Sequence, residues 1–431
     1  MKVAVLRETF PGERRVALVP ASVAALAKHD VQVSIETDAG AAAGFENADY
    51  EDAGACIVSR QDALAVDVLL QVRSLGANQT AGKADLESFR RGQVVIGMCD
   101  PLGEPQAIQQ SADTGVTQFA LELIPRTTRA QAMDVLSSMA TIAGYRAVLL
   151  AALELPQMFP MVTYAAGMLR PARVFVIGAG VAGLRAIATA KQLGAVVQAH
   201  DIRPGSADEV RSVGAKFIEL PLDGQTQDAG GYAKRLTDAD YDRQRQLIAE
   251  VASQSDVVIT TAAIPGRPAP LLVTTAAVEN MPIGSVVVDL AAERGGNCEV
   301  SQADERVQHG GVTILGPTNT AAEVANHASV MFSNNTTRFL INLTRDGQVA
   351  LSLEDDIICE TLVTQDGQVV HGRIRELLGL PAAADAATVP GLTPDAEATP
   401  PETQPAAVDD NETIPFDSWN DDAAAVEEDD A

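Results

Sequence analysis

The stretch that decides the fold reads Ala172-Arg-Val-Phe-Val-Ile-Gly-Ala-Gly-Val-Ala-Gly183. A β-branched run leads into the pattern Gly178-x-Gly180-x-x-Gly183, and a helical pattern follows it. A second apolar run comes next and is closed by Asp201, 18 residues after the last glycine. Strand, glycine turn, helix, strand and acidic residue, in this order, predict a βαβ unit that binds a dinucleotide.

Each part of this unit has a physical task. Gly178 permits the tight turn, Gly180 lets the backbone approach a pyrophosphate, and Gly183 lets helix and strand pack closely. The first turn of the helix offers unpaired N–H groups to the phosphates. Asp201 would accept hydrogen bonds from ribose hydroxyls and repel a 2′-phosphate, which favours NAD over NADP, although the nearby Arg203 would soften that preference. The alternative is a glycine turn that holds no ligand.

Composition and charge limit the possible partners. The chain has 431 residues, of which 46% are hydrophobic, so a soluble protein of two domains is expected. Its net charge of −27 argues against nucleic acid or an anionic membrane surface as a direct partner. Residues 381–431 hold 14 Asp and Glu but no Lys or Arg. Because this stretch has too few apolar residues to form a core, we expect a disordered acidic tail.

The cysteines and the apolar runs indicate the compartment. The four cysteines lie far apart without metal-ligand spacing, so no metal site is expected. No secretory signal precedes the first strand, and we expect no apolar run long enough to span a bilayer. The sequence therefore predicts a cytoplasmic chain, and any membrane-spanning part would belong to another chain.

Short Val- and Ile-rich runs alternate with helical patterns, which predicts parallel sheets with crossover helices. Strands are expected at 2–6, 31–36, 66–72, 94–98 and 117–121, and again at 173–177, 196–200, 216–220, 257–261, 285–290 and 312–315. Helices are expected at 21–28, 105–111, 129–153, 182–193 and 321–340. The predicted fold is α/β with two Rossmann-like domains and a tail. The first domain is discontinuous, at 1–136 and 328–380, the nucleotide-binding domain covers 137–327, and the tail covers 381–431.

Two further segments are candidates for the site. None of the five histidines is clearly placed for catalysis, whereas a polar segment begins at Arg126. If this segment is helical from residue 130, Gln131 and Asp134 share a face that Ser137 extends and that could hold a nicotinamide carboxamide. A capped helix start with solvated residues is the alternative, which the residues alone favour slightly. The polar stretch 223–240, with Gly230-Gly231-Tyr232, would be either a lid or a disordered insertion.

Several segments together resemble the NAD(H)-binding component, called domain I or the α subunit, of the proton-translocating NAD(P) transhydrogenases. The resemblance covers roughly residues 1–375 and rests on Arg7-Glu8 with Pro11–Ala17, Glu122–Asp134 with Ala143–Arg146, Gly178–Gly183, Ala229–Lys234, Thr260–Gly266, and Asp289–Ala291 with Gly295–Asn297. Domain I of this family is similar in fold to the alanine dehydrogenases, which makes an amino-acid dehydrogenase the natural rival.

The rival differs at the substrate site, where alanine dehydrogenases carry a Lys and a His. The corresponding segments here read Gln71-Val-Arg-Ser74 and Gly97-Met-Cys-Asp100, so both groups are missing. Losing such an acid or base costs roughly 10²–10⁴-fold in rate. A transhydrogenase needs neither group, because hydride passes directly between two nicotinamide rings held about 3–3.5 Å apart.

The resemblance also implies roles for individual residues. Those that would orient the nicotinamide half are Arg126, Gln131, Asp134 and Ser137; Val181 would meet the pyrophosphate; Asp201, Ile202 and Arg203 would meet the adenosine; Gly231 and Tyr232 would belong to a mobile loop; Gln244 and Ala263 would line the adenine side. It implies a homodimer, an NADP(H)-binding domain III on a β subunit, and separate membrane-spanning subunits that carry the protons. The chain would then be cytoplasmic and peripheral on the inner face of the cell membrane. A non-catalytic NAD-binding regulator that docks through its tail is a further alternative.

Overall fold

The computed structural model describes residues 1–203, 205–220, 237–263 and 266–381. Its strands are β1 Lys2–Val5, β2 Gln32–Glu36, β3 Cys56–Val58, β4 Val68–Arg73, β5 Val94–Met98, β6 Thr117–Ala120, β7 Val162–Tyr164, β8 Gly167–Leu169, β9 Arg173–Ile177, β10 Val196–His200, β11 Lys216–Phe217, β12 Val257–Thr260, β13 Val286–Asp289, β14 Arg306–His309, β15 Val312–Leu315, β16 Thr344–Arg345, β17 Gln348–Val349, β18 Leu362–Gln365 and β19 Gln368–Val369.

The helices connect and cover these strands. They are α1 Pro20–Ala27, α2 Asn47–Asp52, α3 Arg60–Leu64, α4 Lys83–Leu86, α5 Pro105–Asp113, α6 Val135–Glu154, α7 Val181–Gln192, α8 Ser206–Ser212, α9 Asp238–Ala252, α10 Thr275–Glu279, α11 Thr320–Glu323, α12 Ala325–Leu343, α13 Asp356–Thr361 and α14 Gly372–Leu377. Short 3₁₀ turns lie at Ala41–Ala43, Leu121–Leu123, Gln131–Met133 and Ala292–Arg294.

The first sheet combines both ends of the described chain. Its eight strands among the described residues follow the order β19-β18-β6-β5-β4-β1-β2-β3. Strands β1 to β6 pair in parallel, and they read as apolar runs because helices cover both faces of a parallel sheet. Strand β18 then pairs antiparallel with β6, placing Leu362 beside Phe119. The predicted discontinuity of the first unit is therefore confirmed.

The second sheet contains the glycine turn. Its seven strands within the described ranges follow the order β11-β10-β9-β12-β13-β15-β14, all parallel except the edge strand β14. Strand β9 lies in the middle, between β10 and β12, so the turn that follows it opens at the carboxyl edge of the sheet. Nucleotides bind at this position in doubly wound folds. The predicted α/β class with two Rossmann-like sheets is confirmed.

Helix α6 belongs to both cores. Val135, Met139 and Ile142 pack in the core of the first sheet, whereas Ala147 and Val148 pack in that of the second. This helix is the one among the described residues that is long and apolar enough to cross a bilayer by length and composition. The expectation of no such run was therefore wrong, and the buried apolar residues of α6 contribute to both cores.

Some predicted boundaries were also wrong. Helix α6 begins at Val135 rather than 129, because residues 131–133 form a 3₁₀ turn and Asp134 is the N-cap. The predicted helix at 321–340 divides into α11 and α12, and residues 238–240 of the predicted polar stretch already belong to α9. The hairpin of β7 and β8 was not predicted. The rest of that polar stretch up to residue 236, and the tail from residue 382, lie outside the described residues.

Candidate functional site

The glycine turn has the geometry that its pattern predicts. Gly178 has a φ of +95°, which favours glycine, and a Cβ there would lie 2.5 Å from Thr261 Oγ1. A Cβ at Gly183 would lie 1.8 Å from the carbonyl oxygen of Gly178, so this glycine brings α7 onto the strand. Among the described residues, no heavy atom beyond Gly180 and its chain neighbours lies within 4 Å of the place that a Cβ would take at Gly180, so these residues leave space there for a ligand.

Asp201 closes the turn from the neighbouring strand. Its Oδ2 accepts a hydrogen bond of 2.7 Å from the backbone N–H of Ala179. The Arg203 side chain lies along the same carboxylate, with Nε 3.0 Å from Oδ1 and Nη2 3.0 Å from Oδ2. The carboxylate therefore supports the turn and already accepts hydrogen bonds from the Arg203 guanidinium group before any ribose is bound.

These residues border one cavity of about 380 Å³, which is within the usual size range for small-molecule sites. Predicted site residues that line it are Arg126, Gly178, Gly180, Val181, Asp201, Ile202, Arg203, Gln244 and Ala263. Lining residues that sequence reasoning missed include His200, Glu209, Tyr241 and Leu272. Their signal was weak, because each comes from a different strand, helix or loop and joins the site only in the folded chain.

The other predicted residues lie away from this wall. Gly183 does not line the cavity; it allows α7 to pack closely against the glycine turn, which is the role predicted for it. Gln131 is exposed on the 3₁₀ turn, and the expected shared helical face with Asp134 was wrong because the helix begins later. Asp134 instead caps α6, accepting hydrogen bonds from Ser137 N at 2.9 Å and Ser137 Oγ at 2.6 Å. Gly231 and Tyr232 lie outside the described residues.

Helix α6 packs closely against α7, the helix that follows the glycine turn. A Cβ at Gly144 would lie 2.0 Å from the carbonyl oxygen of Ala182 on α7, so only glycine permits this crossing. The N-terminus of α6 carries Asp134 and Ser137. The crossing therefore fixes these two side chains relative to the glycine turn.

His200 and Gln244 form a buried pair in the cavity wall. His200 Nδ1 lies 2.9 Å from the carbonyl oxygen of Ile218, and its Nε2 lies 3.2 Å from Gln244 Nε2. The imidazole also stacks on Phe217, with ring centroids 6.4 Å apart. Burial lowers the pKa of His200, against the opposing effects of the Ile218 carbonyl and the charge of Asp201. The ring is therefore neutral near pH 7.

A network of charges joins the carboxyl edges of the two sheets. The Glu13 side chain is fully buried and binds Arg15 at 2.6 Å and Arg73 at 3.2 Å. Asn319, from the second half of the chain, bonds to all three of these side chains. Burial alone would raise the pKa of Glu13, but the hydrogen bonds and charge of Arg15 lower it to about 2.

Two carboxyl groups in the same region have the opposite behaviour. Burial, together with the charge of Glu13, raises the pKa of Glu8 to about 8. Burial raises the pKa of Glu122 to about 7, although the N–H of Asp100 donates a hydrogen bond of 2.7 Å to its Oε1. The other oxygen of Glu122 is buried without a hydrogen-bond partner among the described residues. Sequence reasoning did not identify either group.

The segments that depart from the alanine dehydrogenase pattern are engaged in ion pairs. Arg73 is held by Glu13 and Asn319, and Asp100 pairs with Arg294 at 2.6 Å. Within the described ranges, no group of three or more His, Cys, Asp or Glu side chains is placed to hold a metal ion.

Comparisons with known proteins agree on one family. Residues 4–143 match the family model "Alanine dehydrogenase/PNT, N-terminal domain", and residues 147–372 match "Alanine dehydrogenase/PNT, C-terminal domain". The chain is 41% identical over 404 residues to the NAD(P) transhydrogenase subunit alpha of Cereibacter sphaeroides, covering 92% of this chain and 76% of that one.

Two further relatives match over nearly their whole length. The chain is 38% identical over 377 residues to the first of the pieces that form the NAD(P) transhydrogenase subunit alpha of Rickettsia prowazekii, covering 87% of this chain and 98% of that piece. The solved structure of transhydrogenase from Sinorhizobium meliloti is 42% identical, with a TM-score of 0.75, covering 86% of this chain and 99% of that one. The resemblance inferred from the sequence is thus confirmed. The chain belongs to the alanine dehydrogenase/PNT family and, within it, to the NAD(P) transhydrogenase alpha subunits.

Proposed function

We propose that the cavity beside the glycine turn is an NAD(H) site. The observation that carries this proposal is the open approach at Gly180 together with the Asp201 carboxylate in the same cavity wall. Backbone N–H groups at the start of α7 would bind the pyrophosphate near Val181, and Asp201 would bind the ribose hydroxyls. Because a carboxylate repels a 2′-phosphate, NAD(H) is favoured over NADP(H).

The remaining predicted residues would complete the nucleotide site. Ile202 and Arg203 lie beside Asp201 and would contact the adenosine, while Gln244 and Ala263 would border the adenine. Arg126 reaches the same cavity, which supports its role toward the nicotinamide half. By family resemblance, Gln131, Asp134 and Ser137 would also orient the nicotinamide half. By the same resemblance, Gly231 and Tyr232 would belong to a loop that closes on the nucleotide.

We infer that the chain is the NAD(H)-binding subunit of a proton-translocating transhydrogenase. Hydride would pass directly from NADH on this chain to NADP⁺ on domain III of a β-subunit partner. This transfer needs two rings held in register and water excluded, and it needs no proton donor. The Arg73 and Asp100 ion pairs support this reading, because they fill positions where an amino-acid dehydrogenase needs a free Lys and His.

The partners would also set the location of the chain. Membrane-spanning transhydrogenase subunits would carry the protons, and this chain would attach to them from the cytoplasmic face. A net charge of −27 does not favour direct binding to anionic lipid, which supports attachment through protein partners.

The hairpin of β7 and β8 supports a homodimer. The hairpin and the residue before it expose neighbouring apolar side chains, with Met161 at 58%, Tyr164 at 54% and Met168 at 64%, and a contiguous apolar patch marks an interaction surface, whereas a single exposed residue does not. We expect Met168→Asp to shift the chain toward monomer in sedimentation velocity runs. Ile283→Asp is the matched control, because Ile283 is 89% exposed but lies outside the hairpin. Equal behaviour of both variants would contradict a hairpin interface.

Hydride transfer is tested by mixing the full chain with a domain III protein loaded with NADPH. We expect reduction of an oxidised NAD analogue, followed by its absorbance, that depends on both proteins. Tight NADH binding without transfer would contradict the transhydrogenase role and leave a non-catalytic NAD-binding regulator. Alanine-dependent reduction of NAD by the chain alone would instead favour an amino-acid dehydrogenase.

A further inference from the structure

The buried His200 has only one neutral form that fits its neighbours. A carbonyl oxygen can only accept a hydrogen bond, so Nδ1 of His200 donates its proton to Ile218 O at 2.9 Å. In the neutral ring Nε2 is then an acceptor. The group that faces it at 3.2 Å is the amide nitrogen of Gln244, which donates to it.

This hydrogen bond decides which end of the Gln244 amide faces the cavity. Gln244 is only 4% exposed and lines the cavity wall. Among the described residues, its carbonyl Oε1 accepts no hydrogen bond, whereas its amide nitrogen is bound to His200. Because one N–H of the amide nitrogen is bound to His200, the amide cannot turn over, and its carbonyl stays available as an acceptor toward the cavity.

Every element around the imidazole supports the same arrangement. Phe217 on β11 holds the ring plane by stacking. Asp201, on the same strand end, is already bound by Arg203. The other titratable side chains that line the cavity are Arg126, Glu209 on α8 and Tyr241 on α9.

The carbonyl lies at the base end of the proposed nucleotide site. In a doubly wound sheet the ribose meets the acidic residue at the end of the second strand, and the base lies beyond it, away from the glycine turn. Asp201 follows His200 directly, and Gln244 on α9 lies beside His200 in the same part of the cavity wall. A base that extends past Asp201 therefore approaches Gln244 Oε1.

We propose that His200 is a positioning residue that turns the Gln244 carbonyl toward the base, so that the site selects a 6-aminopurine over a 6-oxopurine. This inference rests on the proposed NAD(H) site and names the chemistry by which it recognises the base. The amino group of adenine donates a hydrogen bond to the carbonyl. A 6-oxopurine presents a second acceptor there, so the carbonyl loses its partner and two oxygens repel.

The test compares two ligands on the full chain: NADH and reduced nicotinamide hypoxanthine dinucleotide. For the natural chain we expect the Kd of the hypoxanthine dinucleotide to be roughly tenfold higher, as one hydrogen bond would give. His200→Phe keeps a ring on Phe217 but has no acceptor, so the ratio of the two Kd values should fall toward one. Gln244→Met removes the carbonyl itself and should give the same result.

The ratio is measured within each variant, so a general loss of affinity or stability cancels. His309→Phe is the control, because His309 lies on β14 and pairs with Glu279 away from the cavity; it should keep the natural ratio. A natural chain that binds both dinucleotides equally, or a His200→Phe variant that keeps the tenfold ratio, would overturn the inference. A natural chain that binds neither dinucleotide would instead overturn the proposed NAD(H) site.

Discussion

Asp201 has hydrogen-bond partners inside the protein before it meets a nucleotide. Its carboxylate accepts from Ala179 N and from the Arg203 side chain, so a ribose would join an arrangement that is already ordered. Preorganisation of this kind reduces the entropy lost on binding. At the scale of single residues, the Asp201 carboxylate thus supports the glycine turn and also borders the cavity of the proposed nucleotide site.

Asp201→Ala should weaken NADH binding by roughly 1.5–3 kcal/mol, the contribution of a charge-assisted hydrogen bond. It should weaken NADPH binding less, because the repulsion of the 2′-phosphate is also removed. Titration calorimetry with both nucleotides measures this. Asp201→Asn is the control for the turn, since its amide oxygen can still accept from Ala179 N. Unchanged NADH affinity in the alanine variant would mean that the ribose is held elsewhere.

Glu122 should make stability fall as the pH rises. Its pKa is raised from 4.5 to about 7 in the folded chain, so the folded state holds this proton more tightly than the unfolded state. The resulting stability is fully present below about pH 4.5 and is lost as the pH rises through 7. At about 1.4 kcal/mol per unit, the loss is about 2–4 kcal/mol.

Glu122→Gln checks this, because the amide is neutral at every pH and can still accept from Asp100 N. We expect urea unfolding to give similar stability for both proteins at pH 5 and a more stable variant at pH 8. A variant that is less stable than the natural chain at pH 8 would contradict the raised pKa.

At the scale of elements, the strand β9, its turn and α7 form one rigid piece. Gly183 allows α7 to pack closely against the turn, and Gly144 allows α6 to pack closely against α7. Gly180, by contrast, borders open space and has a φ of −71° that any residue adopts. Two of the three glycines of the pattern are therefore required by the fold, whereas Gly180 is not required by it and stays a proposed ligand contact.

Gly180→Ala and Gly183→Ala form a matched pair. We expect Gly180→Ala to keep its melting temperature and to weaken NADH binding about tenfold or more, because the methyl group enters the pyrophosphate's space. Gly183→Ala should lower stability by about 1–3 kcal/mol, the usual cost of overpacking. Thermal unfolding with and without NADH separates the two effects. The interpretation fails if Gly180→Ala unfolds as readily as Gly183→Ala.

Sequence reasoning predicted the local parts of this fold and missed the parts that depend on distant contacts. The glycine turn could be predicted because its residues are close in sequence and each has a steric reason. The start of α6 was placed too early because residues 131–137 also suit a helix, although the residues alone slightly favour the capped helix start that Asp134 and Ser137 form. His200 and Gln244 meet only after β10 and α9 pack together, so no spacing in the sequence indicated their pairing.

At the scale of the whole molecule, two sheets with the same central strand order share α6 and a network of charges. Glu13, Arg15 and Arg73 from the first sheet meet Asn319 from the chain beyond the second sheet. We retain the boundaries 1–136, 137–327 and 328–380 as a proposal for the domains. In that division the Glu13 network lies where the two domains meet.

Glu13→Gln should lower stability by about 3–5 kcal/mol at pH 7, because it leaves Arg15 and Arg73 buried without their carboxylate. Glu293→Gln is the control: Glu293 lies 3.7 Å from Arg73 but is half-exposed, so its loss should cost less than about 1 kcal/mol. Urea unfolding measures both. The natural chain's contribution from Glu13 is present above pH 4.5 and lost as the pH falls through about 2. Equal stabilities of the two variants would contradict a structural role for this network.

The return of the chain to its first sheet affects how the protein is made. Phe119 on β6 packs against Phe339 on α12, with ring centroids 5.6 Å apart, and β18 covers the edge of β6. During synthesis at about 5–20 residues per second, Phe119 leaves the ribosome roughly 10–40 s before its partner. Throughout that interval the nascent chain exposes an apolar sheet face and an open strand edge. The first sheet is therefore begun first and finished last, and its apolar face and open strand edge are prone to aggregation during that time.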